Sequence, residues 1–169
     1  MKCGFGGVFC DPVYCAVANP GQCTFLTTAA PVTSSCEPGF TYVGSKCIKV
    51  MAEPANYLTS LTTCISMGAK LASIESQAEQ EAVFALTGSS GVWLGLTDFL
   101  DEGVFSWVDG ADVGYTNWRD GQPNNGENNQ HCVWMRGDGE WDDVTCKRME
   151  VFVCQMEGKD KGPRGRGRN

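Results

Sequence analysis

Residues 118–124 read Trp-Arg-Asp-Gly-Gln-Pro-Asn and lie inside a long polar segment between Gly110 and His131. This segment is rich in Gly, Asn and Asp, and it shows neither helical nor strand periodicity. A compact domain seldom contains so long an irregular segment unless that segment has a function. The sequence therefore predicts that the functional site lies here.

Oxygen-bearing side chains are concentrated in three short groups in and after this segment. They are Gln122-Pro123-Asn124-Asn125, Gln130-His131 and Trp141-Asp142-Asp143. Carboxylates and amide carbonyls suit a hard cation, above all Ca²⁺, which takes about six to eight oxygen ligands. An amide can ligate the ion through its oxygen while its NH₂ group still donates a hydrogen bond. The pattern therefore predicts a calcium ion, which a diol could ligate through its two hydroxyl groups.

The cysteines indicate disulfide bonds rather than a metal site. Ten cysteines stand among 169 residues, with one histidine, His131, and no Cys-x-x-Cys pair. Such an even, widely spaced set predicts five disulfide bonds and an oxidising compartment, so we expect a secreted or extracellular protein. Residues 1–10 lack the apolar run of about 7–15 residues of a signal peptide, so we expect a mature form or a fragment.

Composition and charge exclude several classes of function. Apolar residues make up 42% and charged residues 20% of the chain, which is typical of a globular protein. The net charge of −7 argues against nucleic-acid binding, and no apolar run approaches the roughly 18 residues of a membrane helix. Once the cysteines are bridged, no Ser/His/Asp or Cys/His set remains, and aspartates that bind calcium are not free for acid–base work. We therefore expect a binding protein and no enzyme.

Composition also divides the chain into four parts. Residues 1–25 hold four cysteines, whose three alternative pairings stay open, and we expect a fragment of an extracellular module there. Residues 26–35 have the composition of a Thr/Ser/Pro linker, and residues 36–157 hold most of the pattern. Residues 158–169 carry five basic residues and one acid, so we expect a disordered basic tail.

Helical spacing occurs twice in the third part. Pro54 suits the first turn of one helix, which Gly68 can end. Its apolar positions recur at helical spacing: Tyr57, Leu58, Leu61, Cys64 and Ile65. Ser76 and Glu79 predict a capping box at the start of a second helix, which Gly88 can end. The predicted buried side of this helix consists of Val83, Phe84 and Leu86.

Short strand patterns flank and follow these helices. A hairpin is predicted between Cys36 and Cys47, where Gly39 and Gly44 allow tight turns. Further strands are predicted over residues 92–96, 105–108, 132–135 and 150–155. Two helices followed by short strands indicate the α+β class.

Residues 36–157 resemble a long-form C-type lectin domain over their whole length. The matching features are Trp93-Leu94-Gly95-Leu96, residues 118–124, Cys132-Val133, Trp141-Asp142-Asp143 and the six cysteines. The resemblance implies the C-type lectin-like fold, with two helices, short antiparallel strands and a long calcium-binding loop region. It also implies a buried role for residues 93–96 and a cis Gln122–Pro123 bond. The implied disulfide bonds are Cys36–Cys47, Cys64–Cys154 and Cys132–Cys146.

The resemblance further implies a principal calcium site that also binds the sugar. Its residues would be Gln122, Asn124, Gln130, Asp142 and Asp143. The family often has Glu-Pro-Asn for mannose-type sugars and Gln-Pro-Asp for galactose-type sugars, whereas this chain has Gln-Pro-Asn. The set has two carboxylates, against about three in the common form, so we expect weak calcium binding, which Glu127 could strengthen.

A second calcium site of some family members would fall in the same region of this chain. Its positions match Asp98, Glu102, Asn125, Gln130 and His131. Only Asp98 and Glu102 are acidic here, so we expect this site to be weak or empty. We interpret His131 as a loop residue, because a zinc site needs three or four ligands and the chain has no second histidine.

The predicted function is calcium-dependent binding of glycans. Asn124, and the absence of an aromatic residue from positions 124–130, favour mannose-type over galactose-type sugars. The alternative is a structural or interaction protein that keeps the fold for a matrix, mineral or ice surface. An oligomer is compatible with either function.

Overall fold

Two α-helices and ten short strands alternate along residues 33–161, the part of the chain that the computed structural model describes. The strands are β1 (Thr33–Ser35), β2 (Thr41–Val43), β3 (Lys46–Ala55), β4 (Lys70–Leu71), β5 (Val92–Thr97), β6 (Ser106–Trp107), β7 (Cys132–Met135), β8 (Trp141–Val144), β9 (Glu150–Glu157) and β10 (Lys159–Lys161). The helices are α1 (Tyr57–Ser66) and α2 (Gln77–Thr87). The predictions for residues 1–25, 26–32 and 162–169 lie outside the described residues.

Eight of the strands form one sheet with β9 and β5 near its middle. Its order is β2-β3-β9-β5-β7-β8, with β4 also paired to β9 and β6 to β5. The predicted hairpin is confirmed as β2 and β3, which turn through Gly44 with a φ of 61°. The pairing of β5 with β9 is parallel, unlike the other strand pairings, and only antiparallel strands were expected.

Strands β1 and β10 lie outside the predicted limits of the domain, in the expected linker and tail. They pair with each other, with Ser35 opposite Lys159. The chain reaches this position because Gly158, just after β9, donates its N–H to the Ser45 carbonyl oxygen at 2.8 Å. The two segments therefore continue side by side beyond the β3–β9 ladder. In the structure these residues of the expected linker and tail form a two-stranded pairing.

Helix α1 begins later than predicted, because Pro54 lies in β3 rather than in the first helical turn. Its N-cap is Asn56, whose side chain accepts the Thr59 N–H at 2.9 Å. The buried residues of the helix are Tyr57, Ser60 and Cys64. Leu58 and Ile65 are 68% and 58% exposed, so the helical spacing is confirmed while two of its apolar residues face solvent.

Helix α2 has the predicted caps. Ser76 accepts the Glu79 N–H at 3.2 Å, and Gly88, with a φ of 62°, follows the last helical residue. The buried residues of this helix are Gln80, Val83 and Thr87. The prediction for Leu86 is wrong, since its side chain is 39% exposed. Neither helix within residues 33–161 has the length and apolar character needed to cross a membrane.

The predicted core role of residues 93–96 is confirmed, since all four are buried. Strand β5 passes so close to the segment after β4 that Gly95 donates its N–H to the Ala72 carbonyl oxygen at 2.8 Å. A Cβ atom on Gly95 would lie 2.7 Å from the Leu71 carbonyl oxygen, where no side chain fits without a shift of the backbone. Glycine therefore permits the approach of these two segments in the core.

Three disulfide bonds join the elements in the implied pairing. They are Cys36–Cys47, Cys64–Cys154 and Cys132–Cys146, with sequence separations of 11, 90 and 14. The longest loop connects α1 to β9, so it encloses most of the domain. The shortest closes the β2–β3 hairpin, and the third connects β7 to the residues after β8.

We expect Gln80→Ala to destabilise the fold by about 2 kcal/mol, because it leaves the buried Trp141 indole N–H without its acceptor, while the Gly139 carbonyl oxygen keeps its bond from Asn117 Nδ2. Gln80 accepts the Trp141 indole N–H at 2.9 Å and donates to the Gly139 carbonyl oxygen at 2.8 Å. The matched control is Leu86→Ala on the same helix, with an expected loss below about 1 kcal/mol. Urea unfolding measures both losses, and equal values would contradict the assigned buried face.

Removal of Cys64–Cys154 is expected to cost more stability than removal of Cys36–Cys47, because it frees a longer loop in the unfolded chain. The chain-entropy relation gives about 4–5 kcal/mol for the separation of 90 and about 3 kcal/mol for the separation of 11. Double Cys→Ala variants, unfolded in urea without reductant, measure the two losses. A smaller loss of stability for Cys64–Cys154 than for Cys36–Cys47 would mean that the length of the closed loop does not determine which bond stabilises the fold more.

Candidate functional site

Trp141 fastens the beginning of the polar segment to strand β8. It is fully buried, donates its backbone N–H to Asn117 at 2.8 Å and accepts the Arg119 N–H at 3.0 Å. Its indole also meets the rings of Tyr115 and Trp118 edge-on, with centroids 5.8 and 5.9 Å away. The polar segment therefore starts from a fixed point next to the two aspartates of β8.

Asp143 holds the next part of the segment. This residue is only 1% exposed. Its two carboxylate oxygens accept the backbone N–H groups of Asn124 at 2.9 Å and Asn125 at 2.6 Å. One buried carboxylate therefore sets the position of the backbone at the Gln-Pro-Asn motif.

The backbone that follows this motif has an unusual conformation. Asn125, Glu127 and Asn128 have positive φ angles of 42°, 59° and 51°. A left-handed residue other than glycine costs roughly 1–2 kcal/mol, although asparagine tolerates this conformation better than most. The turn is maintained in part by Gln130, whose N–H donates to Asn125 Oδ1 at 3.0 Å. Strain of this kind is concentrated at functional sites.

The side-chain oxygen of Gln122 lacks a partner within the described part of the chain. Gln122 Oε1 is buried and accepts no hydrogen bond from residues 33–161. The Gln122–Pro123 peptide bond is cis, as the resemblance implied. A buried acceptor without a donor costs about 1–3 kcal/mol, which a cation at this oxygen would offset.

The side-chain oxygens of Asn124 and Gln130 converge over Gly126. Gln130 Oε1 accepts the Gly126 N–H. A Cβ atom on Gly126 would lie 2.6 Å from Gln130 Oε1 and 3.3 Å from Asn124 Oδ1, so the glycine leaves these two oxygens room to approach each other. The hollow beside them has a volume of about 400 Å³ and is lined by Asn124, Gly126, Glu127, Asn129, Gln130 and Thr145. Its lining contains no aromatic side chain.

Asp142, the fifth residue of the predicted site, faces other partners. It follows Trp141 in β8, and successive residues of a strand point to opposite faces, which separates it from Asp143. Its carboxylate accepts two hydrogen bonds from Arg119, at 2.8 and 3.2 Å, and one from Arg136 at 3.3 Å. The bond to Asp142 raises the pKa of the Arg119 guanidinium.

The structure therefore brings Asn124, Gln130 and Asp143 together at one loop, in which Gln122 Oε1 is buried, and engages Asp142 elsewhere. Gln122, Asn124, Gln130 and Asp143 offer amide and carboxylate oxygens, the donor set that suits Ca²⁺. Sequence analysis missed the two arginines that bind Asp142. Arg119 lies within the motif of residues 118–124, but a motif does not indicate which side chain an arginine will meet.

Asp98, Glu102 and His131 form a second cluster beside the loop. Their ligating atoms lie within 4.8 Å of one another. His131 Nδ1 is 3.1 Å from Asp98 Oδ1 and 3.2 Å from Glu102 Oε2. Asn125 donates a hydrogen bond from Nδ2 to Glu102 Oε1. The residues predicted for a second calcium site thus come together, but His131, interpreted as a loop residue, contacts both acids.

Sequence comparison identifies relatives over most of the chain. A family model described as the lectin C-type domain matches residues 53–156. The low affinity immunoglobulin epsilon Fc receptor of Mus musculus is 35% identical over 78% of this chain and 40% of its own length. The galactose-specific lectin nattectin of Thalassophryne nattereri is 32% identical over 72% of this chain and 80% of its own length. The chain spans about two fifths of the length of the mouse and human receptors.

Solved structures with the same fold include sugar-binding and calcium-independent proteins. The carbohydrate-recognition domain of cow CD23, crystallised in the presence of a GlcNAc2Man3 oligosaccharide, has a TM-score of 0.72 and 29% identity, covering 75% of this chain and 98% of that domain. A calcium-independent type II antifreeze protein has a TM-score of 0.71 and 28% identity, covering 75% of this chain and 97% of its own. The sequence relatives are receptors and lectins rather than enzymes. The family match, the fold and the three disulfide bonds together show that the chain belongs to the C-type lectin domain family.

Proposed function

We propose that residues 36–157 are a calcium-dependent carbohydrate-binding module of an extracellular protein. The observation that carries this proposal is Gln122 Oε1, which is buried without a hydrogen-bond partner among the described residues. It lies in the same loop as the polar hollow beside Asn124 and Gln130. A cation at this loop would give the unpaired oxygen the electrostatic partner that it lacks.

Four residues would hold the ion: Gln122, Asn124, Gln130 and Asp143. Bound Ca²⁺ would supply an electrophilic anchor for two neighbouring hydroxyl groups of a sugar. The amide NH₂ groups of the loop would donate to the sugar oxygens, and Asp143 would accept a hydrogen bond from a sugar hydroxyl. Asp142 is left out of this set because its carboxylate is already ion-paired with Arg119 and Arg136.

The charge of the proposed set favours weak calcium binding. Asp143 is its one carboxylate, and Glu127, which is exposed and lines the hollow, could bring a second. Fewer charged ligands lower the affinity of a protein site for Ca²⁺. We therefore expect a Kd toward the weak extracellular range, about 10⁻⁴–10⁻³ M.

Calcium at 10 mM is then expected to stabilise the chain by about 1.4–2.7 kcal/mol, as a ligand that binds only the folded state. Thermal unfolding in 10 mM Ca²⁺ and in chelator measures this effect. Gln122→Ala should lose the response, and it should keep full stability in chelator because it removes an unpaired oxygen. Asp120→Asn, an exposed acid of the same segment, is the matched control and should respond fully. An undiminished response in Gln122→Ala would contradict the site.

The sugar preference is proposed to be for mannose-type sugars. The order Gln-Pro-Asn keeps the asparagine of the family's mannose-type motif, and no aromatic side chain lines the hollow to stack on galactose. Sugars with equatorial 3- and 4-hydroxyls, such as mannose, glucose and N-acetylglucosamine, would fit this arrangement. Affinity for a monosaccharide should be about millimolar, or roughly −4 kcal/mol.

Competition for a mannan surface in Ca²⁺ tests this preference. Mannose should release the chain at a lower concentration than galactose does. Asn124→Asp creates the order Gln-Pro-Asp, which the family often has for galactose, and should reverse the ranking. Galactose acting at the lower concentration on the unaltered chain would show that the preference is wrong.

A second function is favoured by the contacts of Asp142. An aspartate held by two arginines gives β8 a structural ion pair that needs no metal. The likeness to a calcium-independent antifreeze protein shows that this fold exists without calcium binding. Under this alternative the chain binds a matrix, mineral or ice surface, and neither Ca²⁺ nor a simple sugar would change its unfolding temperature.

A further inference from the structure

We propose that Asp98, Glu102 and His131 form a binding site for a divalent metal ion of intermediate softness, Zn²⁺ above all, rather than for Ca²⁺. The three residues come from separate positions, directly after β5, in the following turn and directly before β7. Their ligating atoms lie within 4.8 Å of one another. This site is distinct from the proposed sugar site and does not depend on it.

The burial of Asp98 is the first argument. Its side chain is 2% exposed, and within residues 33–161 its ion-pair partner is His131. Oδ2 accepts the Gly103 N–H at 2.9 Å, which leaves Oδ1 facing the imidazole. A buried carboxylate is costly unless a cation or strong donors accompany it. The cluster therefore needs a positive charge between Asp98, Glu102 and His131.

The spacing of the donors is the second argument. A tetrahedral ion with bonds of about 2.1 Å separates its ligand atoms by about 3.4 Å. His131 Nδ1 already lies 3.1 Å from Asp98 Oδ1 and 3.2 Å from Glu102 Oε2. The three ligating atoms lie within 4.8 Å of one another, so a shift of the exposed Glu102 side chain would place both carboxylates and the imidazole around one ion. A water molecule would complete the four ligands, since the Glu102 side chain is 54% exposed.

The chemistry of the donors decides between metals. Ca²⁺ takes about six to eight oxygen ligands, and an imidazole nitrogen is not among its usual donors. Zn²⁺ accepts mixed nitrogen and carboxylate ligands and is satisfied by four.

Neighbouring groups hold the three ligands in place. Asn125 Nδ2 donates to Glu102 Oε1, and the ring of Phe99 lies 5.6 Å from that of His131. Outer contacts of this kind orient ligands and raise metal affinity. The contacts of His131 with both acids therefore give the imidazole a role that the sequence alone did not indicate.

Calorimetric titration of the full chain with Zn²⁺ alone, repeated with Ca²⁺, tests the proposal. His131→Gln should weaken Zn²⁺ binding at least about 10-fold, because it removes the nitrogen ligand. Glu102→Gln, at a more exposed side chain, should weaken it as well and serves if the first variant does not fold. Asp101→Asn, an exposed neighbouring acid, is the matched control and should bind as the unaltered chain does.

Two further results separate this site from the sugar site. Gln122→Ala should keep the Zn²⁺ affinity of the unaltered chain while losing its response to Ca²⁺. Substitution with Co²⁺ should give visible absorption bands of a four-coordinate ion that are lost in His131→Gln. Equal Zn²⁺ binding by the unaltered chain and His131→Gln, or no Zn²⁺ binding at all, would overturn the proposal.

Discussion

Trp141 is the contact on which both the fold and the candidate site depend. Its backbone binds the polar segment at Asn117 and Arg119, and its indole N–H binds Gln80 of helix α2. Strand, helix and irregular segment thus meet at one buried side chain. A segment of this length has little structure of its own, so its position has to come from such tertiary contacts. Asp142 and Asp143 follow Trp141 directly in strand β8, so their positions relative to the polar segment are fixed as well.

The two aspartates of strand β8 have different contacts because their side chains point to opposite faces of the strand. Asp143 binds the backbone at Asn124 and Asn125, where the candidate ligands lie. Asp142 binds Arg119 and Arg136 and ties the segment to the strand on the other face. The same short motif therefore shapes the binding loop on one side and stabilises its support on the other.

Local signals predicted the elements whose structure is decided locally. The cap residues Ser76 and Gly88 were correct because capping needs only neighbouring backbone groups. The residues 93–96 were correct because a continuous apolar run favours a buried strand. The prediction that Pro54 begins a helix was wrong because a proline fits the end of a strand as well as the start of a helix. Leu58 and Leu86 are exposed although they fit the apolar helical spacing, because spacing alone does not show which face of a helix the sheet will cover.

In the candidate site, too, some features were predicted from the sequence and others depend on the tertiary fold. The cis bond before Pro123 and the three disulfide bonds agree with the family resemblance. The pairing of Arg119 with Asp142 could not be predicted, since it joins residues 23 positions apart in sequence. Such pairs depend on the finished fold, and a pattern read along the chain does not contain them.

The fold itself is shared by sugar-binding and calcium-independent proteins, so the fold alone does not decide the function, and the proposed function depends on a few oxygen atoms in one loop. A crystal structure of the chain grown with Ca²⁺ and a mannoside would test that dependence most directly. The account predicts an ion bound by the side-chain oxygens of Gln122, Asn124, Gln130 and Asp143, with two sugar hydroxyls completing its ligands and Asp142 still paired with Arg119. An empty loop under these conditions, with Gln122 Oε1 unliganded, would contradict it.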